Sequence, residues 1–277
     1  MEKMQNREKR LNFVLSLIVV LIYIFPFYIL INVSLRNYTD LSSRLLPTVI
    51  PQATNYIKLF SDSLFWKAGI NTILYCLLTV GILIPLASLG GYGLARSECR
   101  LTKAIQSLNI MTMMIPATAL LVGTYSLMVK LKLTNSILGL ALLSVGGSMT
   151  SVMFFYTTFT TMIPKELDEA AAIDGAGIIR TYYQIIFPQL KAVTITRVID
   201  CITVCWNNYL MPMYMLSKSE KYTLILYIKK LYSSWTKVSD IPLAFAGCVL
   251  MIAPILIFYF LMQKHIIGGQ IDSSVKG

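Results

Sequence analysis

Apolar runs of membrane-spanning length alternate with short polar stretches along almost the whole chain. Leu11 to Leu35, Ala68 to Ala95, Ala104 to Val129 and Leu133 to Pro164 carry no charged residue, and two further runs lie between Lys191 and Lys218 and from Ile241 to Gln263. A helix needs about 20 apolar residues to cross a hydrocarbon core about 30 Å thick, so the pattern predicts six transmembrane helices. The fold class is therefore all-α, a polytopic membrane protein. Pro26, Pro85, Pro116 and Pro254 fall inside these runs, and a membrane helix tolerates them where neighbours satisfy the freed carbonyls. Gly90, Gly91 and Gly93 close the second run and predict either close helix contact or a flexible end. The fourth run, at 32 residues, is longer than one crossing requires, which predicts a re-entrant start around Gly146 and Gly147.

The polar stretches divide the chain into a tail (1–10), a first span (11–35), an external segment (36–67), a transmembrane domain (68–263) and a second tail (264–277). Lys3, Arg7, Lys9 and Arg10 favour a cytoplasmic N-terminus, and six spans return the C-terminal tail to the same side. The first span lacks a small-residue cleavage site, so it is expected to stay as a helix. Pro47 and Pro51 mark loop and short surface helices in the external segment. Arg96, Glu98, Arg100 and Lys103 form a short inner loop, and Lys130 and Lys132 an outer turn. From Ser217 to Asp240, Leu224, Ile228, Leu231 and Trp235 recur at helical spacing beside Lys229 and Lys230. This predicts an amphipathic helix for lipid headgroups or for an extracellular binding protein. Basic residues are nearly balanced between inner and outer segments, so orientation rests on the N-terminal tail and on one loop.

That loop is Lys165 to Ala192, KELDEAAAIDGAGIIRTYYQIIFPQLKA. Pro164 stands where a helix can start, and Glu166, Asp168 and Glu169 fall in its first turns, where carboxylates favour the positive end of the helix dipole. Ala170, Ala171 and Ala172 give high helix propensity with little side chain, which allows close approach to a partner. Asp174, Gly175, Ala176 and Gly177 break the helix, with Gly175 able to take the left-handed geometry of a C-cap. A second helix, Ile178 to Phe187, ends or kinks at Pro188. Read without a partner, the segment is a capped helical hairpin whose acids are solvated. No His lies nearby, and acids in a first turn have a structural reason, so no catalysis is indicated.

Glu169-Ala170-Ala171, then Asp174-Gly175-Ala176, then Pro188, resembles the EAA loop of permease subunits in binding-protein-dependent ATP-binding-cassette importers. Asn71-Thr72 and Gly91-Tyr92-Gly93-Leu94-Ala95-Arg96 look like the same family. The resemblance implies the type I importer permease (MetI-like) fold and a cytoplasmic coupling helix, Glu169, Ala170, Ala171, Asp174, Gly175, Ala176 and Pro188, that docks on an ATPase subunit. A second proline frequent in that family is Ala192 here, which predicts a less kinked entry to the next helix. No stretch matches G-x-x-x-x-G-K-[ST], so the chain is not expected to be an enzyme. The implied partners are two ATPase subunits holding ATP and magnesium, a second homologous permease and an extracellular or periplasmic solute-binding protein. No cofactor is expected on this chain.

Composition agrees with the pattern. Of 277 residues, 56% are hydrophobic and 13% charged, about half the charged share of soluble domains. The net charge of +11 is dispersed between apolar runs, which favours anionic lipid over nucleic acid as counter-charge. Cys76, Cys99, Cys201, Cys205 and Cys248 lie inside or at the edges of apolar segments and read as small buried hydrophobes. Cys201 and Cys205 share a helix face, yet with His265 the lone histidine no metal site is indicated. Met111, Met113 and Met114 read as adaptable packing.

The fifth run alone holds charges, Arg197 and Asp200, at a spacing that lets them pair on a helix. Such charges mark a pathway or, alternatively, an arginine snorkelling near the interface with Asp200 neutralising it. Trp206, Asn207, Asn208 and Tyr209 put rings beside amides, suited to sugar faces and hydroxyls or to interfacial anchoring. The segment resembles the tryptophan-asparagine segment of sugar permeases, and the tail from Gln263 to Gly277 resembles the carboxyl end of maltose-type permeases. The reading is a cell-membrane permease subunit for di- or oligosaccharides. The alternatives are a permease for a polyamine or phosphate, or an ion-gradient-driven secondary transporter, which would need more intramembrane ionisable groups.

Overall fold

The structure, a computed structural model, describes residues 2–37, 39–40, 42–232 and 240–274. The described residues form helices and loops: α1 (Glu2–Ser34), α2 (Thr54–Ser61), α3 (Ser63–Arg96), α4 (Arg100–Met113), a 3-10 turn (Ala117–Leu120), α5 (Leu121–Lys130), α6 (Ile137–Thr161), α7 (Glu166–Ile173), α8 (Ile178–Thr181), a π-helical turn (Tyr182–Ile186), α9 (Phe187–Gln189), α10 (Lys191–Trp206), α11 (Leu210–Met215), α12 (Leu224–Tyr232) and α13 (Asp240–Ser274). Four helices are long and apolar enough to cross a membrane: Lys9–Ser34, Ser63–Arg96, Ile137–Thr161 and Ile241–Met262. The third apolar run is a broken pair, Arg100–Met113 and Ala117–Lys130, bent by 94°. Pro116 explains the break: it lacks a donor and pushes Ile115 away from helical geometry. The fifth run divides into the 16-residue α10 and the 6-residue α11.

Several expectations change. The re-entrant start at Gly146 and Gly147 does not form. Ser136 caps α6 by accepting from the Gly139 N–H at 3.3 Å, and the helix runs unbroken to Thr161. Unbroken backbone bonding is the cheaper state for glycine at membrane depth, where a freed polar group has no water. The C-terminal tail is helical to Ser274 as the end of α13, and Val275 to Gly277 lie outside the described residues. Leu224 and Ile228 on α12 are each 5% exposed, so these positions of the apolar face are spent within the chain and are not offered to lipid headgroups. Trp235 lies outside the described residues.

The chain divides into two compact units. In the first, Met1–Trp66 with Tyr227–Pro254, α1 is exposed along its apolar length. The polar segment beyond it is tied down by buried side chains. Asn32 Nδ2 donates to the carbonyls of Arg44 and Leu46, both at 2.8 Å, and Asn55 Nδ2 to those of Ser34 and Arg36, both at 2.9 Å. Gly247 lets α13 approach α12: a Cβ there would lie 3.0 Å from Ile228 Cγ1.

The second unit, Lys67–Leu226 with Ile255–Gly277, is built around α3 and α6. Gly91 makes their contact possible, because a Cβ there would fall 2.6 Å from Tyr156 Cβ and 2.9 Å from the Thr157 nitrogen. At Gly90 a Cβ would lie 3.0 Å from Met153 Sδ, the end of a flexible side chain, and at Gly93 it would meet nothing within 4 Å, so the close-approach reading is strict at Gly91, looser at Gly90 and absent at Gly93. Leu83, Ala87, Leu140, Ala141 and Tyr156, all 0% exposed, fill the core between these helices. Asn109 Nδ2 donates to the Thr150 carbonyl at 2.9 Å and fixes α4 beside α6.

Candidate functional site

The hairpin from α7 to α9 belongs to the second unit and is rooted by charge. Arg96 ends α3 and reaches the end of α6, where its Nη1 donates to the carbonyls of Thr160 at 3.2 Å and Ile163 at 3.0 Å. A cation there suits the carbonyl-rich, negative end of a helix. Its Nη2 lies 2.9 Å from Asp168 Oδ2, and Tyr92, one turn earlier, donates its hydroxyl to Asp168 Oδ1 at 2.6 Å. Asp168 stands in the first turn of α7, so one carboxylate faces a helix N-terminus, a guanidinium and a phenol together. Its acid is not merely solvated. Outside this clamp, Lys165 pairs with Glu98 of the loop after α3. That contact holds the Glu98 carboxyl below the usual carboxylate range, chiefly by the hydrogen bond and then by charge. Both side chains are exposed, so the pair adds little stability.

The turn of the hairpin follows its glycine. Gly175 has φ +79°. Its N–H bonds the Ala172 carbonyl at 3.0 Å, and the Ala176 N–H bonds the Ala171 carbonyl at 2.9 Å. These are the two bonds of a Schellman ending, which needs a left-handed residue at this position. A Cβ on Gly175 would meet nothing within 4 Å, so the requirement for glycine is conformational and not steric. The second limb is bolted to α3: Tyr182 and Ser88 share a 2.6 Å hydroxyl contact, and the Tyr182 ring lies 5.4 Å from that of Tyr92. Tyr182, Ile186 and Leu190, at 1%, 0% and 2% exposed, continue the buried stripe. Pro188 can donate no backbone bond, and the turn just before it is π-helical, with the Phe187 N–H reaching back to the Tyr182 carbonyl. The chain breaks again at Leu190 (φ −85°, ψ 9°) before α10, so the missing proline at Ala192 does not give a smooth entry.

The coupling candidates sort by face. Ala171 is 3% exposed and packs inward, Ala176 is half-buried, and Glu169, Ala170, Asp174, Gly175 and Pro188 are exposed. Sequence reasoning did not single out the apolar residues around them. Ile173, Ile178 and Ile179 are 86%, 73% and 59% exposed, and apolar groups so placed beside carboxylates suit a protein partner. Nor did it find the clamp. Arg96 was one member of a short inner loop and Asp168 one of three acids, and spacing alone could not join them.

The pathway candidates divide as well. Trp206 is 9% exposed, which places its ring in packing. Half-buried Asn208 donates to the Tyr75 hydroxyl at 3.1 Å and accepts from the Met211 N–H at 3.2 Å, while the Tyr75 hydroxyl also contacts Ser144 Oγ at 2.5 Å. That amide ties α11 to α3, and the Tyr75 hydroxyl carries the link on to α6. Tyr209 is half-buried and Asn207 exposed. Arg197 and Asp200 do pair, at 3.5 Å. Arg197 also stacks on the Phe155 ring at 3.9 Å, whereas Asp200 is exposed. Cys76, Cys201 and Cys205 are buried and Cys248 is partly so, but Cys99 is exposed.

Residues 83–269 match the family model described as "Binding-protein-dependent transport system inner membrane component". The melibiose/raffinose/stachyose import permease protein MelC of Bacillus subtilis is 29% identical over 279 residues and all of both chains. The multiple sugar-binding transport system permease protein MsmG of Streptococcus mutans is 30% identical over 98% of this chain and all of its own. The crystal structure of a bacterial ABC transporter involved in the import of the acidic polysaccharide alginate superposes with TM-score 0.78 at 24% identity, over 94% of this chain and 96% of that one. A family match across most of the spans and a shared all-helical fold agree. The chain belongs to the inner membrane components of binding-protein-dependent transport systems, as a multi-pass permease of ABC importer type.

Proposed function

We propose that this chain is the permease subunit of an ATP-driven importer of neutral di- or oligosaccharides. The substrate class follows the full-length relatives named for sugar import. The mechanism rests on one observation: a hairpin rooted by Arg96, Tyr92 and Asp168 presents Ile173, Gly175 and Ile178 to solvent. A partner gripping that tip would move α3 and α6 with it. Two ATPase subunits, holding ATP and magnesium, supply the grip and the hydrolysis. A second homologous permease completes the path, and a binding protein outside the cell delivers the solute. Both termini then lie in the cytoplasm, and Glu169 bonds at the docking groove.

Replacing Gly175 with valine tests the docking. A β-branched residue forced into the left-handed region costs about 1–2 kcal/mol, and the open space around the glycine means that nothing inside the chain is displaced. Uptake of a radiolabelled neutral trisaccharide should fall at least tenfold while membrane insertion and complex recovery stay normal. Unchanged uptake would remove the docking role, and import of a polyamine or phosphate instead would replace the sugar. Orientation has its own probe. Hydrogen bonds from Thr102 lower the exposed Cys99 thiol to about 7, so it reacts readily at neutral pH. An impermeant maleimide should label it from the cytoplasmic side alone.

A further inference from the structure

α10 carries a polar face that the fold does not use. Thr196, Asp200, Thr203 and Asn207 recur at helical spacing, and at 3.6 residues per turn they fall within about 60° of one another around the axis. Asp200, Thr203 and Asn207 are exposed and Thr196 half-buried. The opposite side holds Cys201 and Cys205, buried, and Thr194, which accepts from Tyr156 at 3.0 Å. Asp200 sits nine residues into the helix, about 13 Å along its axis, so a fifth span that begins at Lys191 carries it to the middle of a core about 30 Å thick. A carboxylate at that depth does not face lipid.

The chemistry of the face is one-sided. Thr196 and Thr203 spend their hydroxyl protons on the carbonyls of Ala192 at 3.1 Å and Ile199 at 2.8 Å. What they turn outward is acceptor oxygen. Asp200 adds a carboxylate, and Asn207 gives one N–H to the Thr203 carbonyl at 2.9 Å, keeping its second for the outside. The Arg197–Asp200 pair does not neutralise this wall evenly. Arg197 is 19% exposed and held over the Phe155 ring, whereas Asp200 is 55% exposed. The cation is folded into the chain and the anion projects.

We propose that the Thr196–Asp200–Thr203–Asn207 face lines the aqueous solute path, and that Asp200 makes it selective for neutral over anionic carbohydrate. The proposal rests on the carbohydrate reading for its substrate, but its physical content is a wet, negatively biased wall. Sugar hydroxyls donate to the acceptors along it. An acidic sugar meets like charge with one amide to offer it a donor.

The test uses charged thiol reagents, so it does not depend on which solute is imported. In the whole complex, with Cys99 changed to serine, Thr203→Cys is treated with membrane-impermeant cationic and anionic methanethiosulfonates, each rate divided by that of a free thiol. The expected result is reaction with both, with the cationic reagent favoured at least tenfold. Adding Asp200→Asn should bring the ratio within about threefold of unity. Leu77→Cys, on the exposed apolar face of α3, should not react. Asn207→Cys reads the same path one turn on, should Thr203→Cys fail to assemble. A face as unreactive as Leu77→Cys would overturn the path, and a ratio indifferent to Asp200→Asn would overturn the selectivity. Failure to import sugar with the thiol pattern intact would instead sink the substrate reading alone.

Discussion

Two arginine–aspartate pairs in the same unit do opposite things. Arg96 and Asp168 come from different helices, lie 2.9 Å apart with side chains 13% and 20% exposed, and recruit Tyr92 and two carbonyls. Arg197 and Asp200 share one helix, lie 3.5 Å apart, and leave the acid 55% exposed. The first pair joins elements that are remote in sequence, and its value depends on how well the groups around it replace water. The second needs no fold to form. An ion pair within one turn contributes little to stability, so its outward carboxylate calls for a functional reason.

The sharpest way to break this contrast is Arg96→Ala. It leaves a shielded carboxylate without its counter-ion and takes a donor from two helix-end carbonyls, and should cost about 3 kcal/mol, with uptake down more than tenfold; thermal unfolding of the purified complex and solute uptake are the readouts. Arg197→Ala should cost about 1 kcal/mol or less, and an equal loss would end the distinction. Next comes Gly91→Val. Backbone atoms of α6 lie where its Cβ must go, so α3 is pushed from the carbonyls that Arg96 caps, at about 1–3 kcal/mol. Tyr182→Phe should be smaller, about 1 kcal/mol, because the buried Ser88 hydroxyl keeps the Pro85 carbonyl and loses the phenol. Asp200→Asn should change the unfolding free energy by no more than about 0.5 kcal/mol.

The smallest effect concerns Glu98. Its depressed carboxyl means that the contact with Lys165 is present at pH above its ordinary value of 4.5 and lost as pH falls through the lowered one. Between pH 8 and pH 6 the small difference in unfolding between the Glu98→Gln variant and the parent should therefore stay constant.

Much of the hairpin was legible because its determinants are local. Pro164, three early acids, an alanine run and a glycine at the C-cap state a helix and its ending within a dozen residues, and Gly175 adopts the left-handed geometry that this order requires. Pro116 marked a weak point in the third run, but the 94° bend depends on what the two halves pack against. Other readings failed where local chemistry had two uses. Asn208 looked like a group for sugar hydroxyls and is engaged with Tyr75 and Met211. Gly146 and Gly147 looked like a break, yet the backbone around them is helical. The clamp was invisible for a plainer reason: nothing in the spacing of Arg96 and Asp168 says that they meet.

The chain is made from its N-terminus, so Arg96 is laid down 72 residues before Asp168 exists. Until Asp168 is made, the guanidinium lacks its counter-ion. The later half of the protein thus neutralises a charge laid down in the earlier half, and a nascent chain truncated ahead of Asp168 would display an unmatched cation where the finished molecule has a closed joint.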